Sequence, residues 1–232
     1  ICRKCSKSHN NFSSVEEGLK NLKSDKNLLF FLESPSNPFL NVLDISLIRE
    51  TFPNSIIVYD NTLAGLLNDK IDLSICDYVV GSCTKYIGGH NDVIGGLVTT
   101  FSDESYQKVW AVRSAQGGIM DQMSAYLLFR SLKTYDLRME SILRNVDQVL
   151  EFLSESLSVD KVYYPGFGEN IAEKAIFNAA YQHGGGLVSF TVNDELEGQI
   201  AENLASLHST KMAHSFGSTD ALIERPVVMS HS

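Results

Sequence analysis

One lysine in the middle of the chain lies between two hydroxyl side chains and a pair of glycines. Lys85 follows Ser82 and Thr84 and precedes Gly88 and Gly89, directly after an apolar run. A lysine amine condenses with a carbonyl group once it is deprotonated, and burial or nearby positive charge favours that form. Hydroxyl groups donate hydrogen bonds to phosphate oxygens. The segment therefore indicates a site for an aldehyde cofactor that carries a phosphate, although such a short motif alone is also found on ordinary surface loops.

Short apolar runs lead up to this segment, and they predict which other polar residues lie near Lys85. Three of them are typical of buried parallel strands alternating with helices, and a polar side chain follows each one: Glu33, Asp60 and Ser82. The runs span residues 28–32, 55–59 and 77–81. Ligands of open α/β sheets bind at the carboxyl ends of the strands. If the three strands are parallel neighbours, these polar side chains lie together at one edge of the sheet.

The remaining pattern predicts an α/β protein with two units. Apolar residues recur at threes and fours through a long amphipathic helix, and a smaller α+β unit follows it. The elements expected beyond the three strands are helices at 44–51, 122–131, 135–156 and 195–207 and strands at 95–101, 161–166 and 186–192. We place the domain boundary inside the long helix, near Leu143. The larger unit then spans 1–143 and the smaller one 144–232.

Composition excludes several classes of function. The 232 residues carry a formal charge of −9, so no basic surface is available for nucleic acid. The longest apolar stretches are far shorter than the roughly 20 residues that span a bilayer, and no secretory signal opens the chain. We therefore expect a cytoplasmic protein without a membrane partner.

The four cysteines do not have the spacing of a structural metal site. Cys2, Cys5 and His9 cluster near the start of the sequence, but a zinc site requires four well-spaced ligands. Cys76 and Cys83 bracket an apolar strand, where a thiol behaves as a small buried apolar group. We expect reduced thiols and no metal.

Motifs along almost the whole chain resemble those of the cystathionine γ-synthase and γ-lyase family, the pyridoxal-phosphate (PLP) enzymes of cysteine and methionine metabolism. They occur in the family's order at 33–38 (ESPSNP), 60–62 (DNT), 82–90 (SCTKYIGGH), 126–134 (YLLFRSLKT), 138–139 (RM), 164–166 (YPG), 185–190 (GGLVSF), 215–217 (SFG), 226 (P) and 229–231 (MSH). The resemblance implies the PLP-dependent transferase fold type I, which is like that of aspartate aminotransferase, with a mostly parallel sheet in the large domain and an α+β C-terminal domain.

The resemblance also implies roles for six residues. Lys85 matches the lysine that condenses with the cofactor's aldehyde and later carries protons. Asp60 matches the carboxylate that keeps the ring nitrogen protonated, so that the ring can accept electrons from the substrate's α-carbon. The other matches are contacts: Ser82 and Thr84 with the phosphate, Asn37 near the cofactor's phenolic oxygen and the substrate carboxylate, and Ser215 in the wall of the site.

Other polar residues are expected to be structural. The sequence after the lysine, 90–92, suits a turn as well as a site, and we favour the turn. Charged groups on helices usually face water, so we expect Arg130, Lys133 and Arg138 to be exposed. The remaining histidines, at 183, 208, 214 and 231, show no ligand spacing.

The chain also departs from the family pattern. Leu63-Ala-Gly-Leu66 replaces a small residue and a proline after the Asp60 motif. We further expect the sequence to begin after the family's phosphate loop and ring-stacking tyrosine, and to end before the arginine that binds the substrate carboxylate.

The expected function is γ-replacement by a cystathionine γ-synthase, in which an O-acyl-homoserine and cysteine give cystathionine. The form of residues 88–93 (GGHNDV) resembles synthases of photosynthetic lineages. Cystathionine γ-lyase, methionine γ-lyase and O-acetylhomoserine sulfhydrylase remain alternatives, since they share every motif. The resemblance implies amino-acid substrates and a homotetramer built as a dimer of dimers. A non-catalytic assembly module is the alternative from another class.

Overall fold

A four-stranded sheet forms the centre of the larger unit. The computed structural model describes residues 22, 28–66, 68–206, 210–213 and 215–225. The strands are β1 (Leu29–Glu33), β2 (Ile56–Asp60), β3 (Tyr78–Ser82) and β4 (Gly96–Thr100), hydrogen-bonded in that order. The first three are parallel, and β4 runs antiparallel to β3. The predicted mostly parallel sheet is therefore confirmed.

One face of this sheet is covered by helix α1 (Ile45–Thr51). The Asp44 side chain accepts a hydrogen bond from the Leu47 amide at 3.0 Å and caps the helix, as the sequence predicts. Ile45 and Ile48 of the helix are buried against the strands. The rest of this core consists of Leu32, Phe52, Ile57, Tyr59, Cys76 and Val79.

Between β3 and β4 the chain makes a tight π-helical turn, Cys83–Ile87. Lys85 has φ −86° and ψ −131°, so the helical path is broken at the lysine itself. Cys83, Tyr86 and Ile87 are buried in a second apolar cluster, together with residues of the long helix that follows. The turn that carries the lysine is thus part of a packed interior.

Three helices follow: α2 (Asp103–Gln116), α3 (Gln122–Leu132) and α4 (Tyr135–Glu155). The sequence predicts α3 and α4 within a residue at each end. It does not predict α2, which has no buried residue and therefore no apolar stripe to detect. Along α4, buried Met139 contacts the cluster at the Lys85 turn, and Val146, Leu150 and Leu153 are buried further along.

The smaller unit combines strands and helices. Strands β5 (Val159–Tyr163) and β6 (Ser189–Val192) pair antiparallel, and β7 (Thr210–Met212) and β8 (Ala221–Ile223) pair in parallel. Helix α5 (Ile171–Ala180) lies between β5 and β6 in the chain, and α6 (Asp194–Ala205) follows β6. Because α4 contacts both the Lys85 turn and β5, the domain boundary near Leu143 stays a prediction.

In the part of the chain that the structure describes, no helix has the length and apolar character needed to cross a membrane. Cys76 and Cys83 are buried free thiols, and burial raises the pKa of Cys76 to about 12. Cys2, Cys5 and His9 lie outside the described residues. Within the described ranges, no three His, Cys, Asp or Glu side chains form a group that could hold a metal ion.

Candidate active site

The carboxyl ends of the three parallel strands lie side by side. Glu33, the last residue of β1, pairs in register with Asp60, the last residue of β2, and Asp60 pairs with Val80 of β3. Burial raises the pKa of Glu33, and the Asp60 charge raises it further, against a hydrogen bond from the Asn37 amide that lowers it. The predicted convergence of polar residues at this edge is therefore present.

The Thr62 side chain links Asp60, at the end of β2, to Ser82, at the end of β3, by hydrogen bonds. The Thr62 hydroxyl donates to Asp60 Oδ1 at 2.6 Å, and the Thr62 amide donates to the same oxygen at 3.0 Å. The Ser82 amide in turn donates to the Thr62 hydroxyl at 2.9 Å. Asp60 is thus fixed in orientation and connected through one side chain to the residue three positions before the lysine. Sequence reasoning placed Thr62 in a motif but gave it no role.

The Lys85 amine points toward a loop that comes 130 residues later in the chain. Its Nζ donates to Ser215 Oγ at 3.2 Å and lies 4.7 Å from the centre of the Phe216 ring. Burial lowers the pKa of Lys85, and the negative charge of Glu224 opposes that shift. A lowered pKa increases the share of neutral amine near neutral pH, which is the form that reacts with a carbonyl.

The loop that meets the lysine has a constrained backbone. Ser215 has φ +79°, a left-handed conformation that is uncommon outside glycine. Gly217 has φ +95°, and a Cβ there would lie 2.7 Å from the Tyr86 nitrogen and 3.0 Å from the Lys85 carbonyl carbon. The loop therefore packs directly on the backbone of the lysine turn, and only a glycine fits at position 217.

A sequence profile of the Cys/Met metabolism PLP-dependent enzymes matches residues 4–232. The chain belongs to this family. It is 36% identical over 223 residues to a cystathionine β-lyase of Lactococcus lactis, covering 93% of this chain and 57% of that protein. It is 34% identical over 205 residues to the chloroplastic cystathionine γ-synthase 1 of Arabidopsis thaliana, covering 88% of this chain and 36% of that protein.

A solved structure supports the same assignment. The cystathionine γ-lyase of Lactobacillus plantarum, determined with L-serine, superposes with a TM-score of 0.86 at 30% identity and covers 94% of this chain and 57% of that one. The fold expected from the sequence is therefore confirmed, and PLP is the cofactor of the family. The chain spans little more than half the length of the Lactococcus relative and of this structure.

Atoms at this edge fit the PLP of the family. Asp60 Oδ2 accepts no hydrogen bond from the described residues, so it is free to accept one from a protonated ring nitrogen. Within the same ranges the Ser82 hydroxyl has no partner, and it remains available to a phosphate oxygen. The Thr84 hydroxyl accepts from the Gly95 amide at 3.1 Å, which holds its turn against β4.

Asn37 is the predicted site residue that the structure does not join to the others. It lies on the loop after β1, where its amide is 3.4 Å from Glu33 Oε2, and its side chain is exposed. No hydrogen bond connects that side chain to Lys85 or Asp60 in the described part of the chain. Its role near the cofactor stays a prediction.

The expectation that Arg138 faces water is wrong. Its residue is 9% exposed, and its guanidinium donates to the carbonyl oxygens of Tyr86 at 2.7 Å, Ser131 at 3.1 Å and Ile87 at 3.3 Å. A charge on an amphipathic helix is expected on the polar face, but this arginine lies on the buried side, where backbone carbonyl oxygens accept hydrogen bonds from it. The other two helical charges, Arg130 and Lys133, are exposed as predicted.

The polar segment after the lysine is an exposed bend, as the sequence favours. His90, Asn91 and Asp92 are all exposed, and Asn91 has φ +58°. The His90 ring nitrogen Nδ1 is 2.7 Å from the Gly88 carbonyl oxygen, which fixes the bend locally. Further residues singled out in the sequence lie outside the described ranges: His208, His214, Pro226, Met229, Ser230 and His231.

Proposed function

We propose that the whole protein is a PLP-dependent transsulfuration enzyme that acts at the γ-carbon of an amino acid. The observation that carries the proposal is the half-buried Lys85 amine with its lowered pKa, three residues after Ser82, whose amide is linked through Thr62 to Asp60. When bound, PLP supplies an electron sink for the pair released at the substrate's α-carbon.

In this proposal Lys85 has two tasks. Its neutral amine attaches the cofactor, and after substrate binds, the released amine moves a proton at the α-carbon and then at the β-carbon. The Ser215 hydroxyl, 3.2 Å away, accepts a hydrogen bond from Nζ and orients it. Because burial keeps the pKa of the amine low, it can act as a base and return the proton within the same site.

Asp60 and the hydroxyl side chains hold the cofactor in place. Thr62 occupies one oxygen of Asp60, so the other oxygen would accept from the ring nitrogen, and the negative charge would keep that nitrogen protonated. Ser82 and Thr84 would donate to the phosphate. Asn37 would hold the phenolic oxygen and the substrate carboxylate.

We propose cystathionine γ-synthesis as the reaction, because residues 88–93 have the form found in synthases of photosynthetic lineages. The bond between the γ-carbon and oxygen of an O-acyl-homoserine breaks, and a bond to the sulfur of cysteine forms. The acyl group leaves as a carboxylate, and no external oxidant or reductant is needed.

A cystathionine lyase is the second candidate. It is favoured by the 36% identity to a β-lyase and by the structural match to a γ-lyase. The 34% identity to a γ-synthase is too close to separate the reactions. The names of these relatives support a common chemistry at an amino-acid substrate rather than one product.

The deciding experiment uses the full-length protein with PLP. Incubation with cysteine and O-acetyl- or O-succinylhomoserine is expected to give cystathionine, measured by mass spectrometry. Release of ketobutyrate from cystathionine alone, without synthesis, would identify a γ-lyase, whereas release of pyruvate and homocysteine would identify a β-lyase. Sulfide in place of cysteine tests the sulfhydrylase, and methionine as the only substrate tests methionine γ-lyase.

For the assembly we propose a cytoplasmic homotetramer, a dimer of dimers in which neighbouring subunits complete each other's sites. Light scattering on the full-length protein measures its mass directly. A protein that assembles but binds no PLP would instead be the non-catalytic module. Reduction with borohydride separates the two: an enzyme fixes PLP on Lys85, and Lys85→Ala does not.

A further inference from the structure

The backbone directly after the site lysine is held by an arginine 52 residues beyond Tyr86 in the sequence. The Arg138 guanidinium donates to Tyr86 at 2.7 Å and to Ile87 at 3.3 Å, the two residues directly after Lys85. Its third donor group, Nε, is 3.3 Å from the Thr134 hydroxyl on the same helix. The planar fork of an arginine can reach several carbonyls at once, which a lysine ammonium cannot do in the same geometry.

The turn needs such a donor because its helical path ends at the lysine. The amides of Gly88 and Gly89 bond back to Cys83 and Lys85, at 2.7 Å and 2.8 Å. The next carbonyls, at the end of the turn, are the kind that helix ends leave without an amide donor. Residues 86 and 87 are buried, so water cannot readily take the donor's place.

Gly89 makes the approach of the arginine possible. It has φ +67°, and a Cβ at this position would collide with Nη1 and Cζ of Arg138. A side chain there would therefore displace the guanidinium as well as strain the backbone. Gly89 and Arg138 therefore act together: the glycine leaves room for the guanidinium, and the guanidinium binds the carbonyls of the turn.

Burying the Arg138 cation costs more free energy than burying an apolar side chain at the same position would. Burial lowers its pKa, and no carboxylate of the described residues pairs with it. A buried ion held by neutral oxygens, here carbonyls and the Thr134 hydroxyl, is costly compared with an apolar side chain of similar volume. The cost is consistent with a need to fix those particular carbonyls.

We propose that Arg138 is a positioning residue for Lys85: it fixes the backbone of residues 86 and 87 so that the amine is directed at Ser215. The loop at Gly217 packs on the Lys85 and Tyr86 backbone of the same turn, so contacts from α4 and from the smaller unit both hold this turn. The inference rests on the proposed function for its catalytic consequence. Its geometric part concerns only the orientation and surroundings of the amine.

The test uses full-length Arg138→Lys and Arg138→Met, with Arg144→Met as the matched control on an exposed turn of the same helix. The first readout is the pH dependence of Lys85 acylation by acetic anhydride in cofactor-free protein, followed on the Lys85 peptide by mass spectrometry. Burial lowers the pKa of Lys85, and the negative charge of Glu224 raises it. A variant therefore titrates like wild type only if its Lys85 amine keeps the same burial and the same position relative to Glu224. The second readout is kcat and KM of the PLP-loaded protein.

We expect the Lys85 titration to move toward the usual lysine value in Arg138→Met and partly so in Arg138→Lys. A misplacement of about 1 Å at a reacting group costs roughly 10²-fold in rate, so kcat should fall by about that factor in Arg138→Met, with KM less affected. Arg144→Met should match wild type in both readouts. Gly89→Ala provides an independent route, since it displaces the guanidinium without removing it.

The inference would be overturned if Arg138→Lys and Gly89→Ala both kept the wild-type Lys85 titration and the wild-type kcat. Arg138 would then have only a stabilising role, even if both variants melted at a lower temperature. Should Arg138→Met fail to fold, these two variants still decide the question. A wild-type protein that fixes no PLP on Lys85 would reject the proposed function, while the acylation titration would still test the positioning of the amine.

Discussion

The apolar core under the sheet and the Lys85 turn are both buried, but they are held together differently. In the core, Ile45 and Ile48 of α1 pack on strand residues such as Ile57, and the contacts are apolar. Around the turn, the contacts that orient the chain are polar and come from Arg138 and Ser215. The core excludes water without needing a fixed geometry for any one atom, whereas the turn fixes one amine.

Substitutions in these two regions should affect stability and chemistry separately. Apolar contacts contribute in proportion to buried area and tolerate repacking. Directional contacts around a reactive group contribute less to folding but determine whether that group is aligned. We therefore expect core variants to lower the free energy of unfolding while leaving the Lys85 titration unchanged, and site variants to do the reverse.

Removal of the lysine amine should give the largest loss of activity for the smallest change in the free energy of unfolding. Lys85→Ala is expected to abolish borohydride-stable attachment of PLP and to lower kcat by about 10⁴-fold, the upper range for a general acid–base group. The free energy of unfolding should change little, because within the described residues the amine makes one hydrogen bond, to Ser215. Lys174→Ala, an exposed lysine on α5, serves as control. Retained attachment in Lys85→Ala would show that another amine holds the cofactor.

Loss of charge at Asp60 comes next. Asp60→Asn keeps an oxygen that can accept from Thr62, so the link to Ser82 should persist and the melting temperature should change little. The negative charge facing the ring nitrogen is lost, and we expect kcat to fall by about 10²- to 10³-fold, as for removal of one electrostatic contact at a reacting centre. Steady-state kinetics measures this. The exposed Asp160→Asn should behave as wild type, and equal activity of Asp60→Asn would contradict its role.

A core substitution should affect only folding. Ile48 is 3% exposed, and Ile48→Ala is expected to lower the free energy of unfolding by about 2–5 kcal/mol. Urea unfolding measures the loss. Leu47→Ala, next to it on the same helix but 36% exposed, should cost much less. A change in the Lys85 acylation titration of Ile48→Ala would show that the core and the turn are coupled. It would contradict the expectation that core variants affect folding alone.

The same difference explains which parts of the structure could be predicted from the sequence. The strands that end in Glu33, Asp60 and Ser82 follow from local apolar patterns, and a helix connects β1 to β2, so the parallel sheet edge could be predicted. Helix α2 could not, because its residues 103–116 include no buried position and carry no periodic signal.

The contacts around the lysine are the part that local pattern does not reveal. Ser215 was predicted through family resemblance, not through its 130-residue separation from Lys85. Arg138 was misjudged because a charge on an amphipathic helix is ordinarily solvated. The available signal was the glycine pair after the lysine, because Gly89 has no Cβ and so leaves room for the Arg138 guanidinium to approach.

The smallest expected effect is a pH dependence of stability in cofactor-free protein. Burial lowers the pKa of Lys85 below its ordinary value of 10.5. Between the lowered value and 10.5, the unfolded chain binds a proton that the folded chain does not, so the free energy of unfolding rises with pH in that window. At lower pH both states are protonated, and the full cost of burying the charged amine is present.

Lys85→Met removes this titration while keeping a side chain of similar length. The difference in free energy of unfolding between wild type and Lys85→Met should therefore shift in favour of wild type as pH is raised from neutral toward 10.5. Urea unfolding at several pH values measures it, and subtraction cancels the other titrating groups that both proteins share. A pH-independent difference would mean that the amine is solvated in the folded protein, and the turn would then not create the environment that makes Lys85 reactive.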